Sequence, residues 1–330
     1  MTPNHHSRSG QRNSRRLAQT RAARRGGFAC LAVAVVMAVG ACGSSSSATS
    51  SSPSSTSSSS STSSTSSSSE STDLTAGFKQ ATWGSGVTVT YANGKLRFVS
   101  NGLPNHKRDA EYALPNAGVQ VPGATTATAS ADPTVAQSYD VSISLSPTKA
   151  SSTTSTSLGI IGYMISGASL FNPYEGDGST VATASNFSVK NSSGEDVYFL
   201  DACSGHPTPM GQYHYHALPK CVTSQVDQTN GPSHIIGIAL DGYPIYGNRD
   251  SNGKEVAAGD LDACNGRTSA TPEFPNGIYH YVLLDTKDST SSIRCFAGTV
   301  DGALKTSQKM PGMGGPGAMQ GGPGGPPPAQ

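Results

Sequence analysis

Apolar and polar positions first alternate over Gly86–Ser100. Val87-Thr88-Val89-Thr90-Tyr91 keeps a period of two, Asn93-Gly94 follows, and Lys95-Leu96-Arg97-Phe98-Val99 returns with the same period. A period of two turns one face of a strand toward a core, and Asn-Gly between two such runs supplies the positive-φ residues of a tight hairpin turn. Short apolar or alternating runs predict further strands at Tyr139–Leu145, Gly159–Ile165, Val197–Leu200, Tyr213–His216, Ile235–Leu240 and Ile278–Leu284. No long segment carries a helical period with caps, and glycine and proline punctuate the chain throughout. The pattern predicts a mainly β fold, one compact β-rich domain over about residues 73–305.

The ends of the chain have other patterns. Seven arginines and no acidic residue lie within the first twenty-five positions, and an apolar run follows from Phe28 to Ala41. That run is short of the roughly 20 apolar residues a spanning helix needs. A basic stretch, a short apolar stretch and small residues before a cut site predict a secretory signal over residues 1–41. The run ends in Val39-Gly40-Ala41-Cys42-Gly43, which is similar to the lipobox of bacterial lipoproteins. That resemblance implies acylation of Cys42, cleavage before it, and a lipid anchor holding the protein on the outward-facing side of the cell membrane. Two acyl chains hold stably where one is marginal. Arg15-Arg16 leaves the general secretory and twin-arginine routes both open.

Residues 42–72 are the cysteine and a tract of almost pure serine and threonine. Such a tract buries too little apolar surface to offset its ordering entropy and predicts a flexible tether with a mean span of roughly 30 Å. Residues 306–330 are rich in glycine, proline and methionine and predict a disordered tail. Met310, Met313 and Met319 are soft enough for copper(I), although the plain tail is the simpler reading. Loss of the signal's seven arginines takes the formal net charge from +1 to about −6. Nucleic-acid binding therefore has no electrostatic support.

Beyond the signal and Cys42, four cysteines remain: Cys203, Cys221, Cys264 and Cys295. Outside the cell an even set forms disulfides, and spacing alone leaves three pairings open. An internal repeat chooses among them. Leu200-Asp201-Ala202-Cys203-Ser204-Gly205-His206 matches Leu261-Asp262-Ala263-Cys264-Asn265-Gly266-Arg267, and each is followed by Tyr-His-Tyr and another cysteine. Upstream, Ile160-Ile161-Gly162 with Gly167 and Leu170-Phe171 matches Ile235-Ile236-Gly237 with Gly242 and Ile245-Tyr246. Residues 160–221 and 235–295 thus read as two copies of one unit, and equivalent cysteines predict Cys203–Cys221 and Cys264–Cys295.

Six histidines lie beyond the signal: His106, His206, His214, His216, His234 and His280. In Tyr213-His214-Tyr215-His216 the imidazoles are two apart and share one strand face. Paired imidazoles make a chelate for zinc or copper, completed by one or two more ligands. His206, His234 and His106 are the candidates, with Asp201 and Asp241 as carboxylates that could orient an imidazole. The bland alternative is a set of histidines that fix loop geometry by backbone hydrogen bonds. The second copy has Arg267 and Val282 where the first has His206 and His216, so one functional and one structural copy is expected.

The Tyr-His-Tyr-His run, Leu-Asp-Gly-Tyr-Pro-Ile-Tyr-Gly at Leu240–Gly247 and Ser-Asn-Gly-Leu-Pro-Asn-His at Ser100–His106 resemble the YHYH domain family over about residues 95–300. The resemblance places His106, His206, His214, His216, His234 and Asp241 on family positions and implies no established activity. Two functions remain in view. One is a surface metal-binding protein or metalloenzyme. The other is a non-catalytic module for a glycan, peptide or cell-wall partner, using Tyr213, Tyr215, Tyr243, Tyr246, Tyr279 and Tyr281 as flat amphipathic surface. No Gly-x-Ser-x-Gly elbow supports a nucleophilic hydrolase.

Overall fold

The computed structural model describes residues 72–307. The predicted signal, Cys42, nearly all of the tether and the tail beyond residue 307 lie outside the described residues. A short helix α1 (Thr75–Phe78) precedes the predicted hairpin of β1 (Val87–Ala92) and β2 (Lys95–Ser100). Asn93 and Gly94 take φ of 51° and 68°, as that turn requires. Next come β3 (Glu111–Pro115), β4 (Ala127–Ala131), β5 (Tyr139–Ser144), β6 (Lys149–Ser155), β7 (Ile160–Met164) and β8 (Ser169–Phe171). A small antiparallel pair, β9 (Ser188–Lys190) and β10 (Asp196–Tyr198), leads to β11 (Gly205–Pro207), β12 (Tyr213–Tyr215) and the helix α2 (Lys220–Val226). The second copy supplies β13 (Ile235–Ala239), β14 (Pro244–Tyr246), β15 (Gly266–Ser269) and β16 (Ile278–Val282), followed by β17 (Cys295–Gly298) and α3 (Gly302–Ser307). The fold is mainly β.

Eight of these strands form one sheet in the order β11-β12-β8-β7-β13-β14-β16-β15. Read outward from its centre, the order is the same in both directions: β7, β8, β12, β11 on one side and β13, β14, β16, β15 on the other. The registers agree as well. Leu170 lies opposite Tyr215 in the parallel pair β8/β12, and Ile245 opposite Tyr281 in β14/β16. Gly205 lies opposite Tyr215, and Gly266 opposite Tyr281. Both central hairpins bulge at the same place, between Ile160 and Gly162 and between Ile235 and Gly237. The sequence repeat is therefore a repeat of topology, with β7 and β13 paired antiparallel across the centre.

The local chemistry repeats too. A Cβ at Gly205 would meet the Tyr213 hydroxyl, and one at Gly266 the Tyr279 hydroxyl, which is why glycine follows Cys-Ser and Cys-Asn. Ser204 and Asn265, just before, both take positive φ of 59° and 67°. The disulfides are Cys203–Cys221 and Cys264–Cys295, the pairing that equivalence predicts. Both faces of the sheet are covered, since β7, β8, β12, β13, β14 and β16 are buried at every position. Among the described residues no helix is long and apolar enough to cross a membrane.

Candidate metal centre

Three imidazoles meet at the first copy's end of the sheet. His206 lies opposite His214 in the antiparallel pair β11/β12, and His216 follows two positions on. Strand alternation sends all three to one face and Tyr213 and Tyr215 to the other. The side chains are closed off from solvent, with His206 6%, His214 3% and His216 2% exposed. Phe171, from the parallel neighbour β8, stacks on His214 at 3.8 Å between centroids and meets His216 edge-on. Phe199 packs on His206 at 4.2 Å.

The nitrogens converge. His214 Nε2 stands 2.9 Å from His216 Nε2, and His206 Nε2 stands 3.3 Å from the same atom. The opposite edges of two rings decide their tautomers. His216 Nδ1 lies 2.7 Å from the Asn172 carbonyl and His214 Nδ1 3.2 Å from the Gln212 carbonyl. A carbonyl can only accept, so each Nδ1 carries the hydrogen and each Nε2 presents a lone pair. Two lone pairs 2.9 Å apart repel unless a cation lies between them.

A proton is a poor answer. Burial, and for His206 and His214 the neighbouring imidazoles as well, hold both far below the ordinary histidine value, and burial pushes His216 down to about 4. A metal ion fits the donor set. Nitrogens about 2.0–2.1 Å from a tetrahedral zinc lie about 3.3 Å from one another, close to the separations here. The ligand atoms of all three residues lie within 4.8 Å of one another, and no further histidine, cysteine or carboxylate among the described residues belongs to the group. The Nδ1 of His206 is buried without a hydrogen-bond partner among the described residues.

Other expected members are elsewhere. His106 lies on the tyrosine face, its Nε2 2.7 Å from the Tyr215 hydroxyl and its ring against Tyr213. The strand's alternation thus separates His106 from the trio. His234 pairs through Nδ1 with Glu273 Oε1 at 2.8 Å in the second copy. Neither predicted carboxylate touches the trio. Asp201 accepts from the Tyr112 and Tyr213 hydroxyls at 2.9 and 2.7 Å and from the N–H groups of Cys203 and Gly205. Asp241 accepts from Tyr281 and from the Gly298 N–H, buried in the second copy, and burial raises it to about 6. Backbone carbonyls take the role expected of the carboxylates. Sequence reasoning missed Asn172, Gln212 and the packing of Phe171 and Phe199, because the parallel pairing of β8 with β12 has no local signal.

The six tyrosines expected to offer a binding surface do not. Tyr213, Tyr215, Tyr243, Tyr246, Tyr279 and Tyr281 are all buried. They fill the core because each ring pair packs edge-to-face and its hydroxyls find buried partners, as Tyr213 does on Asp201 and Tyr281 on Asp241.

Residues 140–255 and 249–298 match the YHYH protein family. This region is a YHYH domain. The Tyr213–His216 segment that matches the family's name carries two of the three converging imidazoles, and the YHYH domain encloses all three. The chain has no significant match among curated proteins and none among solved structures.

Proposed function

We propose that His206, His214 and His216 hold one zinc or copper ion, in a domain tethered to the outer face of the cell membrane through lipidated Cys42. The observation that carries the metal reading is the pair of hydrogen-free Nε2 atoms 2.9 Å apart in a buried cage. Three neutral imidazoles without a carboxylate suit both zinc and copper. Once bound, either ion would lower the pKa of a coordinated water, and copper, unlike zinc, would also allow redox cycling. The residues of this chain supply the rest: the Asn172 and Gln212 carbonyls fix the ring orientations, and Phe171 and Phe199 exclude bulk water. The membrane reading rests on the Val39–Cys42 motif and the serine tract.

Elemental analysis of the chain, produced without a histidine tag, tests the metal. One zinc or copper per chain is expected, and none after His214→Ala with His216→Ala. Absence of stoichiometric metal from the wild type after exposure to both ions would overturn the reading.

A second reading, a module for a glycan or peptide, is favoured by one feature. A cavity of about 410 Å³ lies against Thr153, Ser155, Thr156, Asn172, Tyr174 and Arg294. Leu158, Ala263 and Cys295 make its lining mixed polar and apolar, which suits a sugar ring or a peptide. Asn172, whose carbonyl holds His216, is part of its wall, so occupancy there would be felt at the trio.

A further inference from the structure

The two disulfides are equivalent in the repeat but differ in their surroundings. Cys264 and Cys295 are both buried, 1% and 8% exposed, although Cys295 borders the cavity at Thr153 and Arg294, and among the described residues no histidine hydrogen-bonds to either. In the first copy Cys203 is buried at 5% while Cys221, on α2, is partly exposed. His106 adjoins this pair: its Nδ1 lies 3.4 Å from Cys203 Sγ. The same Nδ1 lies 3.0 Å from the Lys107 carbonyl, so it carries a hydrogen and donates. On the far side of the ring, Nε2 meets the Tyr215 hydroxyl, which in turn is 2.9 Å from Ser166 Oγ. Cys221 is the more exposed residue of the pair, and Cys203 has an N–H donor placed beside its sulfur, held from the other side of the ring by a hydrogen-bonded tyrosine.

We infer that Cys203–Cys221 is a thiol–disulfide exchange site, with Cys221 the sulfur attacked, Cys203 the leaving sulfur and His106 the hydrogen-bond donor that stabilises the departing thiolate. The attacking thiolate of an external thiol forms a bond to Cys221 Sγ as the Cys221–Cys203 bond breaks. The electron pair leaves on Cys203 Sγ as a thiolate, which accepts a hydrogen bond from His106 Nδ1–H and takes its proton from solvent. A second thiolate displaces Cys221 from the mixed disulfide. Two external thiols are thereby oxidised to one disulfide, and the protein pair is reduced to two thiols. The rate depends on stabilising the leaving thiolate, which is what His106 provides and what the second copy lacks. The trio lies on the other face of β12, so this chemistry does not require the metal.

The test uses the whole chain and 2-mercaptoethanol as the thiol. Samples quenched with iodoacetamide over time are mapped by mass spectrometry. Cys203 and Cys221 should be trapped at least about tenfold faster than Cys264 and Cys295, with the transient mixed disulfide on Cys221. His106→Gln should slow the first pair severalfold and leave the second unchanged. Equal rates for the two disulfides, a mixed disulfide on Cys203, or no effect of His106→Gln with the second pair as internal reference would each overturn the assignment.

Discussion

Arg267 lies opposite His280 across β15 and β16, in the register that His206 and His214 occupy across β11 and β12. The backbone of the second copy thus offers the same geometry with one imidazole instead of three. His280 is buried, and burial pushes it down to about 4 with a smaller contribution from Arg267. Its Nδ1 donates to the Ile278 carbonyl at 3.0 Å. If topology and ligand chemistry together make the site, Arg267→His with Val282→His should add a second bound zinc or copper per chain. His280→Ala in the wild type should leave the first in place. Elemental analysis with competitive chelation would read both, and loss of metal in His280→Ala would show that the copies are not separate.

The pH dependence has a definite sign. His216 goes from an ordinary value of 6.5 to about 4 in the fold. A depressed pKa contributes stability that is present above 6.5 and is lost as pH falls toward 4, roughly 3 kcal/mol for this one group in the metal-free protein. Asp241, raised to about 6, and Glu175, raised to about 8 by burial, run the other way, losing stability as pH rises through those values. The difference between wild type and His216→Gln isolates the imidazole. In denaturant titrations from pH 7 to 4, the metal-free wild type should lose stability relative to the variant, and a flat difference would contradict the buried neutral assignment. Protons should also compete with metal only nearer pH 4, below the usual imidazole range.

Asp201 should be among the costliest polar positions to remove. Its carboxylate takes two buried tyrosine hydroxyls and two N–H groups. Asp201→Ala leaves these unsatisfied and should cost at least about 3 kcal/mol in thermal or denaturant unfolding. Asp262, its exposed counterpart, holds one tyrosine, Tyr279, at 2.9 Å. Asp262→Ala should cost about half as much, because water can replace the carboxylate there. Equal costs would mean that burial does not set the difference.

Membrane attachment is tested at one atom. Cys42→Ala removes the thiol that the proposed anchor needs, so the variant should lose its acyl mass and appear unprocessed or released. Unchanged membrane retention together with unchanged mass would refute the anchor.

Local sequence determined much of this protein. Asn93-Gly94 between alternating runs specifies its hairpin because the turn needs two positive-φ residues and each strand face repeats every second position. The duplicated Leu-Asp-Ala-Cys blocks determined the disulfide partners, since equivalent units close equivalent loops. Tyr-His-Tyr-His determined that His214 and His216 share a face. Other features had no local signature. β4 and β6 are alanine-, serine- and threonine-rich and show no apolar alternation, and three-residue strands such as β8 and β14 are too short to show a period. Tertiary structure alone decided which histidine joins the pair. His206 comes by antiparallel pairing of β11 with β12. The conformation of the chain before β3 puts His106 behind the strand, and Glu273 holds His234 in the other copy. It also decided that carbonyls of Asn172 and Gln212, rather than Asp201 and Asp241, orient the rings. Spacing along a chain specifies the face of a strand, but which strands become neighbours, and what stands behind each ring, depends on contacts between residues far apart in sequence.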